Sequence, residues 1–74
     1  MQLAETIKFT RQKAFLSQEA FAREINVSVS TINRWETGKV RPNLSAMKSI
    51  KDFCEKYGLC FDAIENEWFA PQQE

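Results

Sequence analysis

The stretch from Ser17 to Lys39, SQEAFAREINVSVSTINRWETGK, most narrows what this chain can fold into. It reads as two short helices joined by a tight turn. Ser17 is a good N-cap for the first helix, which runs to about Ile25. Glu19 sits in its first turn, where the helix dipole favours an acid. Phe21, Ala22 and Ile25 face inward. Asn26 takes the turn, because Asn tolerates left-handed backbone better than most residues with a Cβ. Ser28 caps the next helix, roughly residues 29–36, whose Ile32 and Trp35 lie three apart on one face. Val29, Ser30, Asn33 and Arg34 are left pointing elsewhere. Val, Ser, Thr and Asn are middling helix formers, so packing must hold this helix.

The rest of the chain supplies three more helices and no competing strand pattern. Leu3, Ile7, Thr10/Arg11 and Ala14 share a face over roughly residues 2–14, and Phe15 and Leu16 carry apolar bulk into the connection. Gly38 stops the third helix and Pro42 holds Arg41 extended. Asn43 then caps a helix over about 44–57 with an apolar stripe of Leu44, Met47, Ile50, Phe53/Cys54 and Tyr57, and Gly58 ends it. Phe61, Ile64 and Trp68 share a face over about 61–69. The expectation is an all-α chain of five helices forming one domain over residues 1–70, with 71–74 a frayed tail.

Composition bounds the chemistry. The 74 residues include no His, and Cys54 and Cys60 are not spaced as a metal pair, so neither a metal site nor a cofactor site is expected. The two cysteines are either small thiols in a reducing compartment or a redox or intersubunit pair. Neither a nucleophile–base pair nor a phosphate loop is evident, and no enzyme is expected. No apolar run approaches the ~18 residues of a membrane span, and the N-terminus lacks a signal-peptide pattern, so a cytoplasmic protein is the default.

Net charge is zero, but it is unevenly spread. Residues 1–51 hold nine Lys/Arg against four Glu, whereas residues 52–74 hold one Lys against six Asp/Glu. Phosphate attraction is local and screened, so the basic half of a neutral chain suits nucleic acid. A helix that reads DNA needs an apolar inner side and an acid-free outer side. It also needs donors, acceptors or methyl groups for base edges. Residues 29–34 meet those conditions. Arg suits guanine, Asn suits adenine, and a Val methyl suits the thymine methyl. Two short helices arranged this way have the layout of a helix-turn-helix.

The motifs SQEAFA, INVS, STINRWETGK and RPN resemble the Cro/CI-type (XRE-like) helix-turn-helix family of phage repressors and bacterial regulators. The arrangement of Trp35, Glu36, Gly38, Lys39 and Pro42 is the most specific part, and the likeness covers about Ile7 to Leu59. The resemblance implies a lambda-repressor-like five-helix bundle. It also implies a sequence-specific regulator, expected to be a repressor that excludes polymerase or a competitor. Base reading carries over to Val29, Ser30, Asn33 and Arg34, and phosphate binding to Gln18, Thr31, Thr37, Lys39, Arg41 and Asn43. Arg11 and Glu36 match a structural ion pair of several relatives. The family usually has glycine where Asn26 stands and often Gln where Val29 stands, so no relative's operator sequence carries over.

The implied partner is double-stranded DNA with a pseudo-palindromic operator, bound by a homodimer. A Cro-like protein, an antitoxin-like autoregulator and a short repressor, none with a separate ligand-sensing domain, all fit. Lys8, Lys13 and Arg23 either touch flanking phosphates or keep the chain soluble. Trp68 and Phe69 either cover the core between the first and fourth helices or form a two-fold interface. The competing reading is a protein-interaction module that uses the acidic, aromatic C-terminal segment.

Overall fold

The computed structural model describes residues 3–70. The expected frayed end at 71–74, and residue 2 at the start of the first helix, lie outside the described residues. The elements are α1 (Leu3–Lys13), α2 (Gln18–Ile25), α3 (Val29–Glu36), α4 (Leu44–Tyr57) and α5 (Asp62–Phe69). α2 packs on α3 and on α4, while α1 packs on α3 and α5. No described helix is long and apolar enough to cross a membrane.

Local chemistry explains where the helices start. Ser17 Oγ accepts from the Ala20 amide (3.1 Å), Ser28 Oγ from the Thr31 amide (3.1 Å) and Asn43 Oδ1 from the Ala46 amide (2.8 Å). Each satisfies one of the amides that a helix start leaves without an internal partner.

The first four helices also share one way of stopping. A residue with positive φ donates its amide to a carbonyl three residues back, and the next residue donates to one five back. The pairs are Phe15→Gln12 and Leu16→Arg11, Asn26→Arg23 and Val27→Ala22, Gly38→Trp35 and Lys39→Arg34, and Gly58→Glu55 and Leu59→Cys54. This is the Schellman arrangement, which satisfies the last helical carbonyls and needs left-handed backbone at its pivot. Glycine and asparagine fill three of the pivots as expected. Phe15, at φ 60°, fills the first. A residue with a Cβ pays roughly 1–2 kcal/mol for that conformation.

The core is built from Ile7, Phe21, Ile25, Ile32, Trp35, Ile50, Phe53, Cys54 and Ile64. Phe21 meets Phe53 edge-on at 4.9 Å between ring centroids, and Phe53 lies 4.6 Å from Tyr57. On α1 the inward face also holds Thr6 and Thr10. The Thr10 hydroxyl donates back to the Thr6 carbonyl at 2.9 Å, so a polar residue enters the core without an unmet hydrogen bond. Leu44 departs from expectation. It is in register with the α4 stripe but 71% exposed, because the first turn of α4 begins beyond the edge of the core.

α5 closes the bundle. Ile64 is fully buried and the Trp68 indole is half-buried, with Nε1 donating to the Pro42 carbonyl at 2.7 Å. Trp68 therefore helps cover the core and fastens α5 to the α3–α4 loop, whereas Phe69 is exposed. Both cysteines are free thiols, Cys54 inside the core and Cys60 exposed. Burial pushes the Cys54 thiol up to about 11.

Candidate nucleic-acid interface

α3 is positioned by its two large apolar residues. Ile32 and Trp35 are buried, which turns Val29, Ser30, Asn33 and Arg34 outward, and all four are exposed. No acid occupies the first turn of α3. Thr31 is half-buried, and its hydroxyl shares a 2.9 Å hydrogen bond with Ser28 Oγ. The outer face thus carries one guanidinium, one amide, one hydroxyl and one branched apolar side chain.

Glu36 is the one acid of α3, in its last turn, where the helix dipole disfavours a carboxylate. Its side chain is only 3% exposed and points into the bundle. Arg11 of α1 meets it through two bonds, Nε to Oε2 at 2.7 Å and Nη2 to Oε1 at 3.1 Å. Gln18 of α2 adds a third, from Nε2 to Oε1 at 2.9 Å. Arg11 Nη1 also donates to the Leu16 carbonyl at 2.8 Å, which anchors the α1–α2 connection. The forked Arg–carboxylate geometry is the strong form of such a pair. Here it removes the negative charge of α3 from the outward surface. The expected Arg11–Glu36 pair is present. Through this bond Gln18 supports α3 directly, with Glu36 as its partner because of the way α2 and α3 cross.

The remaining phosphate candidates differ in what already holds them. Gln18 is half-buried and uses one amide N–H on Glu36, and a primary amide has a second. Asn43 uses its oxygen as the α4 cap, so its N–H groups are not part of that cap. Thr37 donates its hydroxyl to the Asn33 and Arg34 carbonyls (2.9 and 3.3 Å). Arg41 is drawn toward α5, where it donates to the Trp68 carbonyl and stands 5.6 Å from the indole ring. Lys39 is exposed between Gly38 and Val40. Lys8, Lys13 and Arg23 are also exposed. Lys13 Nζ lies over the Phe9 ring at 4.7 Å.

Away from this face, Lys56 of α4 bridges to Glu24 of α2 at 3.1 Å. The hydrogen bonds from Lys56 and Tyr57 hold the Glu24 carboxyl below its ordinary range, and the same contact raises the Lys56 ammonium.

Comparison with known proteins places the chain. A family model described as helix-turn-helix matches residues 7–58. Over 53 residues the chain is 36% identical to the HTH-type transcriptional activator BcrR of Enterococcus faecalis. That match covers 72% of this chain and 26% of BcrR, so the chain matches about a quarter of its relative's length. Among solved structures, the solution structure of the DNA-binding domain of the P22 C2 repressor superposes with a TM-score of 0.74 at 19% identity. It covers 99% of this chain and 92% of that domain, which establishes a shared fold. The exposed α3 face, the five-helix architecture and the match over residues 7–58 lead to one assignment: the chain belongs to the Cro/CI-type helix-turn-helix family of DNA-binding transcriptional regulators.

Proposed function

We propose that this chain is a sequence-specific repressor that binds an operator as a homodimer with α3 in the major groove. The observation that carries the reading is the outward face of α3. It is acid-free because its one carboxylate is turned into the bundle, where Arg11 neutralises it and Gln18 adds a hydrogen bond. On this reading Arg34 pairs with guanine and Asn33 with adenine, Ser30 adds a hydrogen bond, and Val29 meets a thymine methyl. Gln18, with its second N–H and the open amides of the α2 start, holds a backbone phosphate. Lys39, Asn43 and the Thr31 hydroxyl, with Ser28 as the donor of their shared bond, grip neighbouring phosphates, and Thr37 adds a contact by turning its hydroxyl from the Asn33 and Arg34 carbonyls. Arg41 joins them by exchanging its Trp68 contact for one.

Two features support dimeric binding. A domain of this size makes few phosphate contacts alone, and two half-sites one helical turn apart double them. Val40 and Leu44, which flank the turn pinned by Trp68, are exposed together with Phe69. These apolar side chains suit a two-fold contact. Repression then follows from steric occupancy of a promoter.

The test is a random-site selection with the wild-type chain, followed by a reporter carrying the recovered site over its promoter. Enrichment of an inverted repeat and lowered reporter output are expected. No enriched sequence would refute the reading in favour of a protein-interaction module. Raised output would replace repression with activation.

A further inference from the structure

Phe15 is the one residue of the α1–α2 connection whose presence neither packing nor backbone geometry accounts for. The residue is 94% exposed, so it adds nothing to the core. Its φ of 60° is one that a glycine at the same pivot would adopt without strain, as Gly38 and Gly58 do at the ends of α3 and α4. A single exposed aromatic is ordinary, but one kept at a left-handed pivot costs strain that nothing inside the fold offsets, which directs attention to a contact outside it.

The neighbourhood of Phe15 narrows the occupant. Ser17 and Gln18 follow it at the start of α2, and exposed Lys13 precedes it by two residues. The connection is fixed in place by Arg11, which donates to the Leu16 carbonyl while paired with Glu36 of α3. Phe15 is thereby tethered to the same three-helix network that positions Gln18 and the reading face. No acidic residue lies between Lys8 and Glu19. An apolar ring set among basic and polar side chains suits a surface that alternates apolar and anionic parts. The deoxyribose–phosphate strand has this character, with C–H faces of the sugars between charged phosphates.

We propose that Phe15 packs its ring against deoxyribose on the strand whose phosphate is held by Gln18. The contact adds affinity that is independent of both sequence and salt. The proposal rests on the DNA-binding reading above and deepens it, by assigning a non-electrostatic anchor to an otherwise electrostatic backbone grip. Burying about half of the ring, ~60 Å² at ~25 cal/mol per Å², corresponds to about a tenfold change in Kd per half-site, and so on the order of a hundredfold for a dimer on both.

The experiment compares wild type with Phe15→Gly, Phe15→Asn and Phe15→Trp on the duplex recovered by selection, over a range of salt concentrations. Phe15→Gly and Phe15→Asn should bind about tenfold more weakly per half-site, on the order of a hundredfold on the full operator, with the same base preference and the same salt slope, and with a Tm no lower than wild type. Phe15→Trp should retain wild-type affinity. A Lys39→Ala control reports whether the salt slope is measurable, since loss of a phosphate contact reduces it by about one per half-site. Cross-peaks between the Phe15 ring and sugar protons in the complex are the direct signature. Wild-type affinity in Phe15→Gly, with sequence preference intact, overturns the Phe15 contact and leaves the DNA-binding reading standing. Failure of the wild type to prefer any duplex overturns both.

Discussion

Replacing Arg11 by methionine should be among the most damaging single changes in this domain, and the structure indicates why. The substitution keeps most of the buried stem but removes both guanidinium bonds to Glu36, at 2.7 and 3.1 Å. Glu36 is then left with Gln18 alone, in a site where its side chain is 3% exposed. Stranding one member of a buried pair costs about 3–5 kcal/mol. A chain of this length has a total stability of roughly 4–11 kcal/mol, so Tm should fall on the order of 20 °C. Glu36→Gln should be milder. Arg11 is more exposed at 11%, has a long stem with which to reach water, and retains the Leu16 carbonyl. The assay is urea and thermal denaturation of Arg11→Met, Glu36→Gln and the double variant. The double variant should be more stable than Arg11→Met alone, with a coupling energy of about 2 kcal/mol or more. Additive effects, or a loss below about 1 kcal/mol in Arg11→Met, would refute the argument that the carboxylate depends on this pair.

Other expectations follow from the same geometry. Arg34→Ala should fold normally and lose about 1–3 kcal/mol of discrimination at one operator position, read by competition between matched and mismatched duplexes. Lys39→Ala should weaken binding to all sequences alike and reduce the salt slope by about one per half-site. At neutral pH, iodoacetamide should label Cys60 and spare Cys54, whose buried thiol keeps its proton up to about 11; mass spectrometry with and without denaturant checks this. Because the Lys56 contact lowers the folded-state pKa of Glu24, the stability it adds is present above the unfolded-state pKa. That contribution is lost as pH falls through the lowered folded value. Wild type and Glu24→Gln should therefore differ in urea midpoint at pH 7 and converge in acid.

What was legible in the sequence was local. Ser17, Ser28 and Asn43 cap helices through their own side chains, and Asn26, Gly38 and Gly58 turn the chain through their own backbone preferences. Such signals lie within four residues of their effect. The same holds for the outward face of α3, since Ile32 and Trp35 three apart fix which side is hidden. What was not legible depends on distant partners or on an exception to a local rule. The position of Trp68 is set by the Pro42 carbonyl, 26 residues away in sequence. Periodicity alone put Leu44 in the apolar stripe, although the core ends before it. Thr6 is buried on the strength of tertiary packing. Phe15 carries no turn signature, yet it occupies the same left-handed pivot as Asn26 and the two glycines.

The placement of Glu36 ties these levels together. A carboxylate in the last turn of α3 is unfavourable for the helix dipole and, on the proposed reading, repels phosphate nearby. Both penalties are offset by directing it inward, where one carboxylate bonds Arg11 of α1 and Gln18 of α2. The consequence is geometric as well as electrostatic. The angle between α2 and α3 is constrained through the same atoms that orient the Gln18 amide. Arg11 carries that constraint on to Leu16 and so to the turn that holds Phe15. On the proposed reading, phosphate grip at the start of α2 and base reading by α3 are therefore not independent devices. A change at Arg11 or Glu36 that leaves the chain folded should shift affinity and base preference together, whereas a change at Arg34 should shift preference and one at Lys39 affinity.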